Sequence, residues 1–480
     1  MEPELQKILD IFEEINTIPR KSKHEERISN WLVDWAKKHN LEFKQDSALN
    51  VCISVPASPG RENDPVVILQ GHMDMVCEKT PESGHDFSKD PIKHIIEGEW
   101  MHADNTTLGA DNGIGLALSL ALATDDSVSH PPLELLCTVD EETGLVGANS
   151  IEKDFLTGNI LLNLDSEDEG VFTIGCAGGR DVEIKLSLQK ETADTPGAVY
   201  KISVDGLRGG HSGVDIHEAR ANANIILAKI LKAITDNGLP LRLVDIAGGS
   251  AHNAIPRNSC ATVLVPESDT ETFKSTFEST AAELENQTKQ SDPDVRISLS
   301  ESEKGNAVYT VDDTNRAIGL LNALPHGVAK MSEDMEGLVE TSNNFATINL
   351  ADDTITILSS QRSSVETELS AIVSRVESIA AEYQASYTTN EGYPGWQPNP
   401  SSPILGVCKE VYKNLFDKEP HVEAIHAGLE CGIIGSKFEN MDMISLGPTI
   451  KNPHSPEERL YLPSVPKIWE FLVALLKEIK

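Results

Sequence analysis

Histidine and carboxylate side chains recur at the ends of four short segments between residues 66 and 165. Three of these segments begin with a run of apolar residues typical of a buried strand, and one is a glycine-rich turn that precedes a helical run. In an open α/β sheet, ligands bind outside the carboxyl ends of the strands. We therefore expect the side chains at these positions to meet in one crevice. The four segments are 66–74, 107–115, 133–144 and 160–165.

A histidine combined with several carboxylates is the ligand set of a hydrolytic zinc site. We predict that His72 binds metal and that Asp74 orients its ring, because a ligating imidazole usually donates its other nitrogen to a carboxylate. Asp111 is predicted to bridge two metals with its two oxygens, since paired sites need a shared ligand. A single acid at a strand end is more often a solvated loop residue or a helix cap, but four such segments in order favour the metal site.

The run Asp140-Glu141-Glu142 offers two glutamates that can divide the work of hydrolysis. One must stay free to take a proton from the attacking water and to pass it to the leaving amine, as a general base and then an acid. The other can bind metal. Neighbouring residues of an extended chain point in opposite directions, which suits this division. Spacing alone leaves open which glutamate has which role.

The composition describes an acidic protein of two or more domains. The 480 residues carry a formal net charge of −36, with 39% hydrophobic and 24% charged residues. Nucleic acids and anionic membranes bind basic patches, so we expect neither as a partner, although the acidity could simply adapt the surface to its medium. Residues 1–5 lack the features of a secretory signal, and no apolar run is long enough to span a bilayer. Seven scattered cysteines without a Cys-x-x-Cys pair indicate reduced thiols and a cytoplasmic location.

The elements that must position these side chains form two domains. Two apolar stripes at helical spacing predict helices within residues 3–40, interrupted at 19–22. Arg20, in this interruption, is assigned to a solvated face, with contact to a substrate as the alternative. We divide the chain into a first domain formed by 1–182 and 391–480 and a second domain inserted at 183–390.

The inserted segment contains a predicted internal repeat. The order helix, strand, strand, helix, strand occurs twice, which predicts two pseudo-symmetric α+β halves in one continuous sheet. Polar loops are expected at 248–257 and near 342–344. The elements of the first half are 218–234, 241–246, 261–265, 270–287 and 295–299. Those of the second half are 313–324, 337–340, 354–359, 365–384 and 386–387.

Four motifs together resemble, in order and spacing, those of the di-zinc aminoacylase and carboxypeptidase clan of metallopeptidases, and within it the bacterial dipeptidases. The resemblance covers essentially the whole chain. It implies an α/β catalytic domain, with a mixed central sheet and helices on both faces, and an inserted α+β lid domain. It also implies two Zn²⁺ ions per chain, which Co²⁺ or Mn²⁺ could replace. The motifs are Gly71-His72-Met73-Asp74, Gly109-Ala110-Asp111-Asn112-Gly113, Asp140-Glu141-Glu142-Thr143-Gly144 and Asn163-Leu164-Asp165.

The same resemblance assigns roles to individual residues. It makes Glu141 the general base and Asp74 the orienting carboxylate. In the inserted domain, it implies that His211 stabilises the tetrahedral oxyanion, that Asn253 holds the substrate and that Arg362 binds the free carboxylate of a dipeptide. Guanidinium binds carboxylate with two hydrogen bonds, so the chemistry of Arg362 supports its role independently of the resemblance. The alternative for His211 is a turn residue without a role in binding. The implied metal ligands are His72, Asp111, Glu142, Asp165 and His454.

The predicted activity is metal-dependent hydrolysis of dipeptides with a free C-terminal carboxylate, including Xaa-His dipeptides such as β-Ala-His. Two alternatives share the metal ligands: an N-acyl amino acid amidohydrolase, and a non-catalytic metal-binding relative, which would have no need of a free base. The segment 426–432, with His426 and Glu430, is expected to lie beside the site. The family suggests a homodimer, whereas the doubled insert could permit a monomer.

Overall fold

A computed structural model describes residues 3–192, 196–303 and 307–480. Residues 1–2, which begin the segment inspected for a secretory signal, lie outside these ranges. The α-helices, in chain order, are α1 (Pro3–Asn16), α2 (Glu26–Lys38), α3 (Ala110–Ala123), α4 (Glu141–Gly144), α5 (Val146–Ser150), α6 (Ala223–Asp236), α7 (Thr270–Thr288), α8 (Val311–Ala323), α9 (Glu366–Glu382), α10 (Pro403–Phe416), α11 (Glu430–Lys437) and α12 (Ser464–Glu478). The strands, in chain order, are β1 (Glu42–Gln45), β2 (Val51–Val55), β3 (Val67–His72), β4 (His94–Glu97), β5 (Trp100–Ala103), β6 (Leu133–Thr138), β7 (Ile160–Asn163), β8 (Val171–Cys176), β9 (Gly178–Ser187), β10 (Lys190–Thr192), β11 (Gly197–Asp205), β12 (Gly210–His211), β13 (Arg242–Gly248), β14 (Ala254–Ile255), β15 (Ser259–Pro266), β16 (Arg296–Ser302), β17 (Ala307–Tyr309), β18 (Gly327–Met331), β19 (Val339–Ala351), β20 (Thr354–Ser363), β21 (Ser386–Thr389), β22 (His421–Ile425), β23 (Asp442–Ser445), β24 (Ile450–Lys451) and β25 (Arg459–Tyr461).

The chain divides into two compact units. The first unit contains Met1–Cys176, Trp396–Ala424 and Leu429–Lys480, and the second contains Ala177–Gly395 and Ile425–Gly428. The insert predicted at 183–390 lies within the main segment of the second unit. Among the described residues, no helix combines the length and the apolarity needed to cross a membrane.

The first unit is built on an eight-stranded mixed sheet with the order β1-β2-β6-β3-β7-β23-β8-β22. The central strands β6, β3, β7 and β23 run parallel to one another, whereas β1, β2 and β8 pair in the antiparallel sense. Every residue of β3 and β6 is buried. Successive side chains of a strand point to opposite faces, so both faces of the sheet centre are covered. Helix α3 packs against β3 and β6, and α11 packs against β8 and β23.

The second unit is built on a nine-stranded antiparallel sheet. Its order is β16-β11-β15-β13-β19-β20-β9-β21, and β18 pairs with β19. The two halves join between β13 and β19, where Ala247 pairs with Asn349 and Gly248 with Ile348. Four strands lie on each side of this junction, and β18 is the ninth strand of the sheet. From each outer edge inwards, the strands are the last, the first, the third and the second of their half in chain order. The internal repeat itself stays a prediction, which superposition of the two halves would check.

One helix of the second unit begins later than predicted. The sequence pattern places a helix start at 218, but α6 begins at Ala223. The side chain of Asn222 accepts hydrogen bonds from the N–H groups of Asn224 and Ile225. This cap satisfies donors that have no partner within the helix and so fixes its first turn.

The loop predicted near 342–344 is wrong, because these residues lie in the middle of β19. Their side chains are polar but buried, and they find partners inside the sheet. Asn343 Oδ1 accepts hydrogen bonds from Ser359 Oγ and Gln361 Nε2, and its Nδ2 donates to a backbone carbonyl. Buried polar groups are tolerated in a strand when they are hydrogen-bonded. Arg362, predicted to follow a strand, likewise lies within β20.

The solvated position predicted for Arg20 is also wrong. Its side chain is buried, with 1% exposure. The guanidinium donates hydrogen bonds to the backbone carbonyls of Met73, Asp74 and Gly109. Charged residues are almost never fully buried unless they are paired. Here three backbone carbonyls accept hydrogen bonds from the guanidinium of Arg20.

The second unit is expected to lose stability as the pH falls from about 6.5 towards 4, in part through His326. Burial lowers the pKa of His326 to about 4, whereas a histidine in an unfolded chain titrates near ~6.5. Between these values the unfolded state binds more protons, so the free energy of unfolding decreases with falling pH. We expect His326→Gln to show a smaller drop in melting temperature between about pH 7 and 4.5 than the wild type. His217→Gln, at an exposed position of the same unit, is the control, and equal pH dependence in all three proteins would contradict the prediction.

Candidate metal centre

The central parallel strands of the first unit end at one edge of the sheet. β3 pairs in parallel with β6 and with β7, so that His72 lies opposite Thr138 and Gln70 lies opposite Asn163. The acids predicted for the site stand just after the ends of these strands or, in one case, near the start of α3. The strand register therefore explains how distant parts of the sequence supply side chains to one place.

Asp111 faces two histidines through its two carboxylate oxygens. His72 Nε2 lies 2.9 Å from Asp111 Oδ1 and 3.4 Å from Asp165 Oδ1. His454 Nε2 lies 3.1 Å from Asp111 Oδ2 and 3.0 Å from Glu142 Oε2. The five predicted metal ligands thus form two three-residue clusters that share one aspartate.

The chemistry of these clusters fits two cations. In each cluster the ligand atoms lie within 4.8 Å of one another. Glu142 Oε1 is buried and accepts no hydrogen bond from the described residues, and such an oxygen is unfavourable unless a cation or a donor faces it. Asp111 and Glu142 also raise the pKa of His454 to about 11, because their carboxylates are negatively charged and hydrogen-bonded to its ring. Imidazole and carboxylate ligands of this kind suit Zn²⁺ and similar metals.

Asp74 contacts the other ring nitrogen of His72, with 3.3 Å between Asp74 Oδ1 and His72 Nδ1. It also accepts hydrogen bonds from Ser22 Oγ and from the N–H groups of Glu141 and Glu142. Burial acts to raise the pKa of Asp74, but its contact with His72 and these donors lower that pKa below the ordinary value. An ionised Asp74 can therefore orient the His72 ring and fix the start of α4.

The two glutamates whose roles the sequence left open differ in their surroundings. Glu142 faces His454 in one cluster, whereas Glu141 belongs to neither of the two clusters that share the aspartate. Both glutamates also lie within metal-binding distance of each other and of His72. Burial raises the pKa of Glu141 well above its ordinary value, and neighbouring carboxylates add to this shift against the opposing effect of His72. A raised proton affinity suits a carboxylate that must take up a proton during a reaction.

A buried row of hydrogen bonds, which was not predicted from the sequence, links the strands that carry the predicted ligands. Glu430 Oε2 accepts hydrogen bonds from Gln70 Nε2 at 2.6 Å and from Thr138 Oγ1 at 2.7 Å. Gln70 Oε1 accepts one from Asn163 Nδ2 at 2.6 Å. Gln70 and Asn163 interrupt apolar strands two positions before a predicted ligand. A polar residue within an apolar run, as at Gln70 and Asn163, is the sequence signal that could have revealed these hydrogen bonds.

In the second unit, His211 lies in β12, which pairs with β14. Its Nδ1 accepts hydrogen bonds from the N–H groups of Gly213 at 3.3 Å and Val214 at 3.1 Å. Burial lowers the pKa of His211 to about 4, and the charge of Arg362 acts in the same direction. The ring is therefore neutral near pH 7, and its single proton resides on Nε2, which can act as a donor.

Arg362 is buried in the second unit, and no carboxylate of the described residues forms an ion pair with it. Its Nη1 donates to the Tyr393 hydroxyl at 2.8 Å, and its Nε has no hydrogen-bond partner in the described part of the chain. An incompletely paired buried charge is unfavourable, and a carboxylate is the partner that guanidinium matches best. Asn253 stands just before β14, and its carbonyl accepts the Ser212 N–H at 2.8 Å, next to His211 in the chain.

The two polar residues of the segment 426–432 fall in different units. His426 belongs to the second unit, where its Nε2 lies 2.7 Å from Ser342 Oγ. Burial lowers the pKa of His426 to about 3, with a further contribution from Arg362. Glu430 belongs to the first unit, where it is 1% exposed and is held by the buried row of hydrogen bonds.

Two possible ligand clusters joined by one aspartate, with Glu141 beside them, are the arrangement expected of a metal hydrolase. The family model described as Peptidase family M20/M25/M40 matches residues 68–478. The cytosol non-specific dipeptidase of Escherichia coli (strain K12) is 40% identical over 474 residues, which are 99% of this chain and 98% of that protein. The chain therefore belongs to Peptidase family M20/M25/M40.

Solved structures agree with this assignment. The crystal structure of aminoacylhistidine dipeptidase from Vibrio alginolyticus is 39% identical, with a TM-score of 0.92 over 100% of this chain and 97% of that chain. The aminopeptidase PepT from Bacillus cereus shares the fold, with a TM-score of 0.62 at 16% identity over 99% of this chain and 98% of that chain. These similarities confirm the predicted metallopeptidase clan and the predicted α/β fold class.

Proposed function

We propose that this chain hydrolyses dipeptides with a free C-terminal carboxylate, including Xaa-His dipeptides such as β-Ala-His. The observation that carries the proposal is the pair of ligand clusters on the two oxygens of Asp111. The full-length similarity to two dipeptidases, one non-specific and one named for aminoacylhistidine, supports this substrate class. We propose two Zn²⁺ ions per chain, with Co²⁺ or Mn²⁺ as substitutes.

His72, Asp111 and Asp165 would hold one ion. Asp111, Glu142 and His454 would hold the other. When bound, the ions would lower the pKa of a water molecule and polarise the peptide carbonyl. Asp111 contributes one oxygen to each cluster, so it would fix the spacing of the two ions.

Glu141 moves the proton in the proposed reaction. Its carboxylate takes one proton from the attacking water as the new C–O bond forms at the peptide carbonyl carbon. It then delivers this proton to the peptide nitrogen as the C–N bond breaks, so that two amino acids leave. Asp74 keeps the ring of His72 oriented through the 3.3 Å contact with its Nδ1.

We assign substrate binding to three residues of the second unit. The Nε2–H of His211 would donate to the oxyanion, since its Nδ1 already accepts two backbone N–H groups. Asn253 would hold the substrate backbone. Arg362 would bind the free carboxylate of the dipeptide and so restrict the enzyme to short peptides.

We further propose a cytoplasmic enzyme that binds small peptides and neither nucleic acid nor membrane, in keeping with a net charge of −36. We propose a homodimer, as the family resemblance implies, and a monomer is the alternative because the second unit already has two halves in one sheet. Light scattering on the purified protein would distinguish the two states.

Substrate and metal dependence should be measured together. We expect the purified protein to hydrolyse β-Ala-His and Gly-Gly, to lose this activity with a chelator and to regain it with Zn²⁺, because the ligand clusters bind metal reversibly. Product amino acids would be quantified by chromatography. Cleavage of N-acetyl amino acids alone would assign the amidohydrolase function instead, and no turnover by the metal-loaded protein would favour a non-catalytic relative.

Replacing Arg362 by Met is expected to lower kcat/KM for dipeptides by roughly 10–150-fold, because a hydrogen bond to a charged group contributes about 1.5–3 kcal/mol. A dipeptide amide lacks the carboxylate, so the wild type should discriminate against it and Arg362→Met should not. Arg180→Met is the control, since Arg180 lies on the neighbouring strand β9 and pairs with Glu366 at 2.6 Å. An equal loss on the dipeptide and its amide would contradict the assignment.

A further inference from the structure

The carboxylate of Glu458 accepts hydrogen bonds from four consecutive backbone N–H groups. Its Oε2 lies 2.7 Å from the nitrogen of Leu108 and 3.0 Å from that of Gly109. Its Oε1 lies 2.7 Å from the nitrogen of Ala110 and 3.2 Å from that of Asp111. Glu458 is 2% exposed. Asp111 and Asn112 have non-helical backbone angles, so the four donors belong to the loop that leads into the regular part of α3. Glu458 supplies the acceptor that these backbone N–H groups need.

Arg20 holds the same loop from its carbonyl side. Its Nη2 donates to the carbonyl of Gly109 at 2.5 Å and to Asn16 Oδ1 at 3.1 Å. A Cβ atom at Gly109 would lie 2.4 Å from Arg20 Nη2, and one at Gly113 would lie 2.8 Å from it. Both glycines therefore leave the space that the guanidinium fills. The charge of Glu458 also acts favourably on that of Arg20.

These contacts tie together three segments that carry predicted metal ligands. Glu458 stands four positions after His454, so one segment supplies both a ligand and the anchor of the Asp111 loop. Arg20 Nη1 donates to the carbonyl of Asp74 at 2.8 Å, next to the segment that carries His72. Glu458 and Arg20 therefore contact the backbone of the loop that contains Asp111 and of the residues that follow His72, and Glu458 itself belongs to the segment that carries His454.

We propose that Glu458 and Arg20 are positioning residues that set Asp111 for metal binding. They fix the backbone of Asp111 so that its two oxygens point into the two clusters before an ion arrives. Groups that orient a metal ligand typically change metal affinity by about 10–100-fold when they are removed. This inference rests on the proposed two-metal function, but it concerns affinity for metal and not the chemistry of hydrolysis.

The test is a metal titration of the apo protein against a chromophoric chelator, with Zn²⁺ as the probe. Glu458→Gln keeps the side-chain shape but replaces one oxygen by an NH₂ group, which faces two N–H donors and cannot accept from them. We expect the Zn²⁺ dissociation constant to rise by roughly 10–100-fold. At saturating Zn²⁺, KM for the dipeptide and the pH profile should return to the wild-type values.

Glu134→Gln is the matched control. Glu134 is also a buried carboxylate, and it accepts hydrogen bonds from Thr157 N–H, Thr157 Oγ1 and Gly158 N–H. It lies near the start of β6, at the opposite end from the ligands. This variant should lose thermal stability and keep the wild-type Zn²⁺ dissociation constant.

Unchanged Zn²⁺ affinity in Glu458→Gln, with a lower melting temperature like that of Glu134→Gln, would overturn the proposal and leave a purely structural role. If circular dichroism shows that Glu458→Gln does not fold, the Zn²⁺ titration is made on Arg20→Lys instead. Lysine cannot reach all of the carbonyls that Arg20 contacts. The Zn²⁺ affinity of this variant must then fall, and unchanged affinity would overturn the proposal. Failure of the wild type itself to bind Zn²⁺ would instead reject the two-metal function.

Discussion

Replacing Glu141 by Gln will lower kcat for dipeptide hydrolysis by about 10²–10⁴-fold, the usual contribution of a general base. The amide has nearly the shape of the carboxylate but cannot take the proton of the attacking water. Glu141 lies outside the two clusters that share Asp111, so the variant should still bind two ions. Steady-state kinetics at saturating Zn²⁺, with metal content measured on the same sample, checks both parts.

The neighbouring residue provides the contrast. Glu142 Oε2 lies 3.0 Å from His454 Nε2 in one cluster, so Glu142→Gln should lose metal as well as activity. A Glu141→Gln variant that retains wild-type kcat would remove this residue from the mechanism. A variant that loses both ions would show that Glu141 serves mainly to hold metal.

Replacing Asp111 by Ala is expected to abolish binding of both ions and to reduce activity by at least about 10³-fold. Its two oxygens face His72 and His454 at 2.9 and 3.1 Å, so the substitution removes a ligand from each cluster at once. Activation of water and polarisation of the carbonyl each contribute several kcal/mol in metal hydrolases, and about 1.4 kcal/mol corresponds to a tenfold change in rate. Metal analysis after gel filtration gives the stoichiometry.

Variants of single clusters test whether Asp111 is shared. Asp165→Ala and His454→Ala each disturb one cluster only, so each should retain about one tightly bound ion. If Asp111→Ala also retains one ion, the two clusters do not share this residue as a ligand.

The sequence could predict which side chains come together in the candidate metal site because the signals are local. Apolar strands that end in His or acid can be recognised within a few residues, and parallel strands carry such residues to one edge. Arg20 and Glu458 were not recognised because their roles depend on partners far away in the chain. Glu458 stands 350 positions after Leu108, to which it is hydrogen-bonded, and no local pattern distinguishes it from an exposed glutamate.

The wrong predictions share a physical cause. Polar residues usually indicate loops or exposed faces, yet Asn343 and Arg20 are buried, because side chains or carbonyls nearby pair with them. Burial of a polar group depends on whether a partner lies within reach, which the three-dimensional structure decides. The division of labour between Glu141 and Glu142 was open for the same reason, since it depends on which of them reaches His454.

The long separation of the ligands also has a consequence for biosynthesis. His454 follows Asp111 by 343 positions, and at roughly 5–20 residues per second a ribosome needs about 20–70 s to synthesise that stretch. During this interval the nascent chain can complete only the cluster of His72, Asp111 and Asp165. The second cluster, and with it the anchor from Glu458, can form only after His454 and Glu458 have been synthesised. On the proposed two-metal function, the chain would therefore bind its second ion only after the main segment of the second unit has been made.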